Sequence, residues 1–205
     1  MKEIVFATSN NAKINQINFI INHFNFPVKI IPGKDFFGDK ISPIEKGSNV
    51  MEIALNSAID VSNRIGLPVI AEDTDFQVKA LNGKPGIKAG DYLKKHGRRC
   101  ILKQIEGAKE RDAIISSAVA YVNPDGTVKV FSHIVEGIIS NEESFCNYPD
   151  WISPSNENIF GGGYNAIFIS KGKKKTLAEI DPVSAISFSY REVNFVNLID
   201  YILNS

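Results

Sequence analysis

The fold class that this 205-residue sequence predicts is α/β, built on a mixed sheet. Two observations predict it. Short apolar runs rich in Val and Ile alternate with stretches whose apolar residues recur at helical spacing, the two periodicities that separate strand from helix. Within that alternation sits one strong hairpin signal, Asn123-Pro124-Asp125-Gly126-Thr127, between two strand-like runs. The alternation implies parallel pairing and the hairpin an antiparallel pair, so the sheet holds both.

Residues 4–7 form the first expected strand. The polar break Thr8-Ser9-Asn10-Asn11 follows, and from Lys13 the positions Ile14, Ile17, Ile20, Ile21 and Phe24 mark a helix. A strand, a Ser/Asn loop and a helix opening with lysine suit an anion, phosphate above all, because the helix end offers free N–H groups, a positive dipole end and a charge. The same residues equally suit a plain helix cap at Asn10 or Asn11. There is no Gly-x-x-x-x-Gly-Lys loop, which excludes a Walker-type nucleotide site. Residues 28–31 read as a second strand and 32–43 as loop. Glu45 and Gly47 precede an amphipathic helix over 49–65, with Met51, Ala54, Leu55, Ala58, Ile59 and Val61 facing inward. Ser48 or Asn49 is its expected cap, with Glu52 placed for a capping box, and Gly66 closes it.

Residues 67–71 read as a buried strand that delivers three carboxylates, Glu72, Asp73 and Asp75, into a loop. Acids at such a place suit a hard cation, since Mg²⁺ takes oxygen ligands and is commonly held by one or two carboxylates plus substrate phosphates. A solvated turn after an edge strand is the other reading. Residues 82–86, Asn-Gly-Lys-Pro-Gly, form a turn-rich loop. A helical region over 91–105 carries the basic run Lys94, Lys95, His96, Arg98 and Arg99, a pattern more typical of a solvated face than of a binding patch. His133, alternating with apolar neighbours after the hairpin, reads as a strand residue. Residues 140–159 show little pattern and form a long loop or small insert. Three glycines, 161–163, then lead through Tyr164 into a strand over 166–169. Residues 171–175 make a charged turn, 176–180 a short extended piece, and 188–203 a C-terminal helix.

Formal net charge is zero, so no general field attracts nucleic acid or anionic membrane, and an anionic ligand must be met by local groups. Hydrophobic content of 43% and charged content of 22% are those of a globular chain able to bury a core as a single domain, 1–205. Cys100 and Cys146 have no metal or redox spacing and suit a reducing compartment. No leader pattern and no long apolar run is present, so a cytoplasmic location is expected.

Taken in order, these stretches resemble the inosine triphosphate pyrophosphatase family. Thr8-Ser9-Asn10-Asn11-Ala12-Lys13 is similar to its phosphate loop, and Glu45 with the following helix to its metal-binding glutamate segment. Ala71-Glu72-Asp73-Thr74 is similar to its acidic motif, and Leu81-Asn82-Gly83-Lys84-Pro85-Gly86 to its Leu-x-Gly-x-Pro-Gly turn. Gly161 to Phe168 resembles its glycine loop, and Ala178-Glu179-Ile180 and Ser189-Tyr190-Arg191 resemble pieces near its end. The resemblance implies an elongated mixed sheet flanked by helices, two lobes with a central cleft, the hairpin in a lobe at about 110–160, and a homodimer. It also implies hydrolysis of a nucleoside triphosphate between the α- and β-phosphates, with Mg²⁺ or alternatively Mn²⁺, giving a monophosphate and pyrophosphate.

Carried onto this sequence, Asp73 assisted by Glu72 would position or deprotonate water. Thr8, Ser9, Asn10, Lys13 and Arg191 would hold phosphates, and Glu45 with Asp73 the metal. Thr74, Gly162, Gly163, Tyr164, Asn165 and Tyr190 would line the base pocket. Several positions depart from the pattern. A family lysine is Ser57 here, the glycine-loop Phe is Gly162, its Asp-Pro is Asn165-Ala166, and the C-terminal lysine and histidine are Ala185 and Tyr190. Losing donors that read a specific group relaxes or redirects base choice. Two functions follow: a pyrophosphatase acting on non-standard purine nucleotides with altered preference, or a nucleotide-binding relative with little turnover and a regulatory or interaction role. Lys84, Lys88 or Lys171 would have to compensate for the missing charges.

Overall fold

The computed structural model describes residues 1–38, 43, 45–146 and 163–205. Seven strands form one mixed sheet. They are β1 (Lys2–Phe6), β2 (Val28–Pro32), β3 (Val69–Val78), β4 (Lys84–Gly86), β5 (Asp112–Val122), β6 (Val128–Ile139) and β7 (Phe168–Ser170). Their order is β2-β1-β3-β5-β6-β7, with β4 paired to β3 off that path. β1 runs parallel to both β2 and β3, whereas β3–β4 and β6–β7 are antiparallel. The mixed α/β sheet expected from the element order is present. Its hairpin closes as the turn signal requires, with Asn123 N–H donating to the Thr127 carbonyl at 2.9 Å.

The helices are α1 (Asn11–Phe24), α2 (Lys34–Phe37), α3 (Val50–Ile65), α4 (Ala89–His96), α5 (Arg99–Gln104), α6 (Pro182–Ala185) and α7 (Glu192–Asn204). Several differ from the sequence expectation for identifiable reasons. The expected loop after β2 contains the single turn α2. The expected helix over 91–105 is two helices, because Gly97 takes φ 70° and closes α4. The extended piece at 176–180 is a 3₁₀ turn, drawn in by a reciprocal cap between Thr176 and Glu179. The C-terminal helix begins at Glu192, with α6 and a turn ahead of it. Met51, expected inside α3, is 47% exposed, and Ile53 and Ser57 take inward places instead. The 140–159 segment falls outside the described residues from 147 onward.

The chain divides into two compact units. The first holds 1–73, 117–133 and 191–205, and the second 74–116 and 134–190. In the first unit the sheet is covered on both faces. Ile4, Phe6, Ile70 and Val119 meet Ile17 and Ile20 of α1 and Phe195 and Leu198 of α7. On the opposite face Val5, Val69, Ala71 and Ala118 meet Val50, Ala54, Ala58 and Val61 of α3. Each fully buried Ile or Phe contributes about 1.5–3 kcal/mol of transfer free energy. In the second unit Phe76, Ile115, Ile139, Tyr164 and Phe168 form the core, and β6 and β7 approach closely at Gly137. A Cβ on Gly137 would stand 2.2 Å from the Ile169 carbonyl oxygen.

Candidate active site

The acids do not follow a strand; they lie inside one. β3 continues to Val78 because β4 pairs with its second half, Phe76 opposite Gly86. Side chains alternate along a strand, so Ile70 and Glu72 face α1 and α7, while Val69, Ala71 and Asp73 face α3. The two neighbouring carboxylates therefore have different surroundings.

Glu72 is the hub. Its side chain is 0% exposed and lies between two cations, Lys13 Nζ at 2.8 Å from Oε2 and Arg191 Nε at 3.0 Å from Oε1. Ser117 Oγ donates to Oε1 at 2.7 Å, and Lys13 also donates to the Glu72 carbonyl at 2.9 Å. A buried carboxylate needs such partners, since desolvating an unpaired one costs several kcal/mol. Lys13 and Arg191 keep 18% and 11% exposure, so the cluster reaches solvent through its cations and not through its acid. Arg191 Nη1 donates to Gln16 Oε1 at 2.9 Å, and Gln16 Nε2 donates to Glu192 Oε1. Asn194 donates to the Ser117 carbonyl at 2.9 Å. The structure thus brings together Lys13, Glu72 and Arg191, which the sequence named, with Gln16, Ser117, Glu192 and Asn194, which it did not. One signal was there to read. Gln16 is a polar residue on the apolar stripe of α1, between Ile14 and Ile17.

The loop between β1 and α1 is built by its own side chains. Thr8 Oγ1 accepts from Asn10 N–H at 3.1 Å, and Asn10 Oδ1 caps α1 by accepting from Ala12 N–H at 2.9 Å. Asn10 therefore is the helix cap, and Ser9, Asn10 and Asn11 remain exposed at the helix end where Lys13 sits in the first turn. α1 lies on one face of the sheet and α3 on the other, and the strand order β2-β1-β3 reverses direction at β1. Open α/β sheets bind ligands outside the carboxyl ends of strands at such a switch point. Lys13, Glu72 and Asp73 stand there.

Asp73 is half-buried on the α3 side, and Glu45 is exposed in the segment leading into α3. Among the described residues no group of three or more His, Cys, Asp or Glu gathers for a metal. Two hard carboxylates match the ligand set of Mg²⁺, which keeps waters and takes the rest of its oxygens from substrate. The donor chemistry fits that ion.

The residues expected around the base belong to the second unit, except Gly162, which lies outside the described residues. Thr74 is half-buried on β3, and Gly163 turns the chain at φ 52°. Tyr164 is buried, its ring against Phe76 with centroids 4.2 Å apart and its hydroxyl donating to the Ala89 carbonyl at 2.8 Å. Burial holds that phenol well above its usual range. Tyr190 Oη donates to Asn165 Oδ1 at 3.2 Å, both residues buried. Ser57 and Ala185 are buried too, and Lys171 pairs with Glu136 at 2.9 Å, while Lys84 and Lys88 are exposed. The basic run divides as well. Lys94, Lys95 and His96 are solvated, but Arg98 is buried with Glu143 at 2.6 Å.

Fold and site together define an open-sheet α/β protein with a two-cation, acid-centred site at its switch point. Residues 4–201 match the profile of the Ham1 family, and the chain belongs to that family. It is 29% identical to a dITP/XTP pyrophosphatase of Methanosarcina mazei over 99% of this chain and 98% of that one. A dITP/XTP pyrophosphatase of Hyperthermus butylicus is 31% identical over 92% and 88%. Among solved structures, a HAM1 protein from Coxiella burnetii matches with TM-score 0.77 and 26% identity over the full length of both chains.

Proposed function

We propose that this chain is a nucleoside triphosphate pyrophosphatase that hydrolyses the bond between the α- and β-phosphates of non-standard purine nucleotides, of the dITP and XTP type, with Mg²⁺. The observation that carries this reading is the cluster at the switch point, where Lys13 and Arg191 converge on buried Glu72 beside half-buried Asp73. The names of its relatives agree with it. Phosphoryl-type transfer asks a protein mainly to position groups and neutralise charge. Lys13 and Arg191 would neutralise phosphate oxygens, and Glu72, held from solvent, would fix both cations. Asp73, with the more accessible carboxylate, would orient water and accept its proton. Glu45 and Asp73 would hold Mg²⁺, which would supply Lewis-acid stabilisation of the developing charge.

Ser57 and Ala185 carry no charge where the resemblance implies lysines, and this supports an altered order of preference among those nucleotides. A homodimer in the cytoplasm completes the reading. The test is pyrophosphate release with Mg²⁺ across ITP, XTP, dITP, the four ordinary nucleotides and modified pyrimidines. Asp73→Asn is expected to lower release at least about 10²–10³-fold, the size of one lost transition-state contact, with an unchanged melting temperature. Full activity in that variant removes Asp73 from the mechanism. Silence of folded wild type on every nucleotide favours the binding relative.

A further inference from the structure

Glu192 is a buried acid that the reaction described above does not use. It opens α7, where the helix dipole favours a negative group. Its Oε1 accepts from Gln16, and its Oε2 has no hydrogen-bond partner among the described residues. A buried carboxylate oxygen left in that state calls for a reason beyond packing. Gln16 supplies one. Its amide lies between Arg191 and Glu192, accepting from the first and donating to the second. A guanidinium has only donors and a carboxylate only acceptors, so an amide bridging them can point only one way. Glu192 thereby sets the direction of Gln16, and Gln16 presents its oxygen to Nη1 of Arg191. Nη1 donates to Gln16 at 2.9 Å, and Nε stands 3.0 Å from Glu72 Oε1 as an ion pair, so the directional bond to Gln16 orients the planar fork.

We propose that Gln16 and Glu192 are positioning residues that together set the orientation of the Arg191 guanidinium toward its anionic ligand. Neither touches that ligand; both act through Arg191. The inference rests on the reading of Arg191 as a phosphate-binding group, and it predicts a pattern that packing alone does not. Gln16→Met keeps the volume and removes both bonds. Gln16→Glu sets two buried carboxylates against each other. Glu192→Gln alone still accepts from Gln16. Joining the last two changes reverses the bridge. The amide introduced at position 192 then donates to the carboxylate introduced at position 16, and that carboxylate accepts from Arg191 as well.

The experiment measures kcat and KM for pyrophosphate release from dITP, with melting temperatures, for Q16M, Q16E, E192Q and Q16E/E192Q. Misplacing a reacting group by an ångström can cost about 10²-fold. Q16M and Q16E are expected to lose about 10–100-fold in kcat/KM at temperatures where they are folded, E192Q less than about 5-fold, and the double variant to recover most of the Q16E loss. Wild-type kcat and KM in Q16M, or a folded double variant no better than Q16E, overturns the proposal. If Q16E does not fold, Q16M against the double variant still decides. If wild type releases no pyrophosphate, the proposed function fails and the positioning is read separately from the Arg191 Nη1–H resonance, the proton donated to Gln16. That signal is expected to exchange slowly in wild type and the double variant and to broaden or vanish in Q16M. An unchanged signal in Q16M refutes the positioning role.

Discussion

Glu72 and Asp73 are adjacent in sequence and unlike in situation. Glu72 is sealed under α1 and α7 with Lys13, Ser117 and Arg191, while Asp73 faces α3 with part of its surface open. Glu72→Ala would leave two cations facing each other across a cavity. The expected cost is about 3 kcal/mol in urea unfolding, at the low end for a broken buried pair because Lys13 and Arg191 keep some solvent access. A loss under about 1 kcal/mol would mean that the cations re-solvate and the cluster is not structural. Tyr92 gives a residue-scale dependence on pH. Burial, with Cys100 beside it, pushes its phenol up to about 12 from an ordinary 10.0. A raised folded-state pKa gives stability that is complete below the unfolded value and lost as pH rises through the folded one. Stability is therefore expected to fall between pH 10 and about 12, and less steeply in Tyr92→Phe. Identical alkaline unfolding curves for the two proteins would contradict this.

At the scale of elements, the caps work locally and the strands do not. Asn49 Oδ1 accepts from both Met51 and Glu52 N–H at 3.1 Å, closing the start of α3, and Glu52 accepts from Ser48 N–H at 2.8 Å. The Ser48 bond holds the Glu52 carboxyl below its usual value. Asn49→Ala is expected to cost about 1 kcal/mol in thermal or urea unfolding, with no change in KM if α3 serves only as scaffold. A KM change without a stability change would place this helix end at the substrate. β3 is the opposite case. Three acids in four residues argue against a strand, yet β3 passes through them because β1 and β4 pair with its two halves. Propensity yielded to pairing there.

For the whole molecule, zero formal charge and a switch-point site belong together. With no general field to gather anions, capture of the proposed nucleotide would depend on Lys13, Arg191 and the end of α1. Duplex DNA is accordingly expected to show no saturable binding in fluorescence anisotropy at about 0.15 M salt, where even non-specific binders reach about 10⁻⁴–10⁻⁶ M. Saturable binding in the micromolar range would reveal a basic surface that net charge conceals. No helix among the described residues is long and apolar enough to cross a membrane.

The short-range part is legible in the chain alone. The α/β alternation, the hairpin, a cap at Asn10 or Asn11 and at Ser48 or Asn49, and the left-handed stop at Gly66 follow from periodicity and turn chemistry acting over a few residues. The order of its motifs also carried the family. Where charge is buried emerges only from the packing of distant segments. Lys13, Gln16, Glu72, Ser117 and Arg191 come from α1, β3, β5 and the approach to α7, and no local pattern pairs them. The same holds for Arg98, a member of a basic run that the fold buries against Glu143. The reason is physical. Turn and cap preferences are satisfied within one or two turns of chain, whereas a charge can be desolvated only where distant segments deliver its counter-charge.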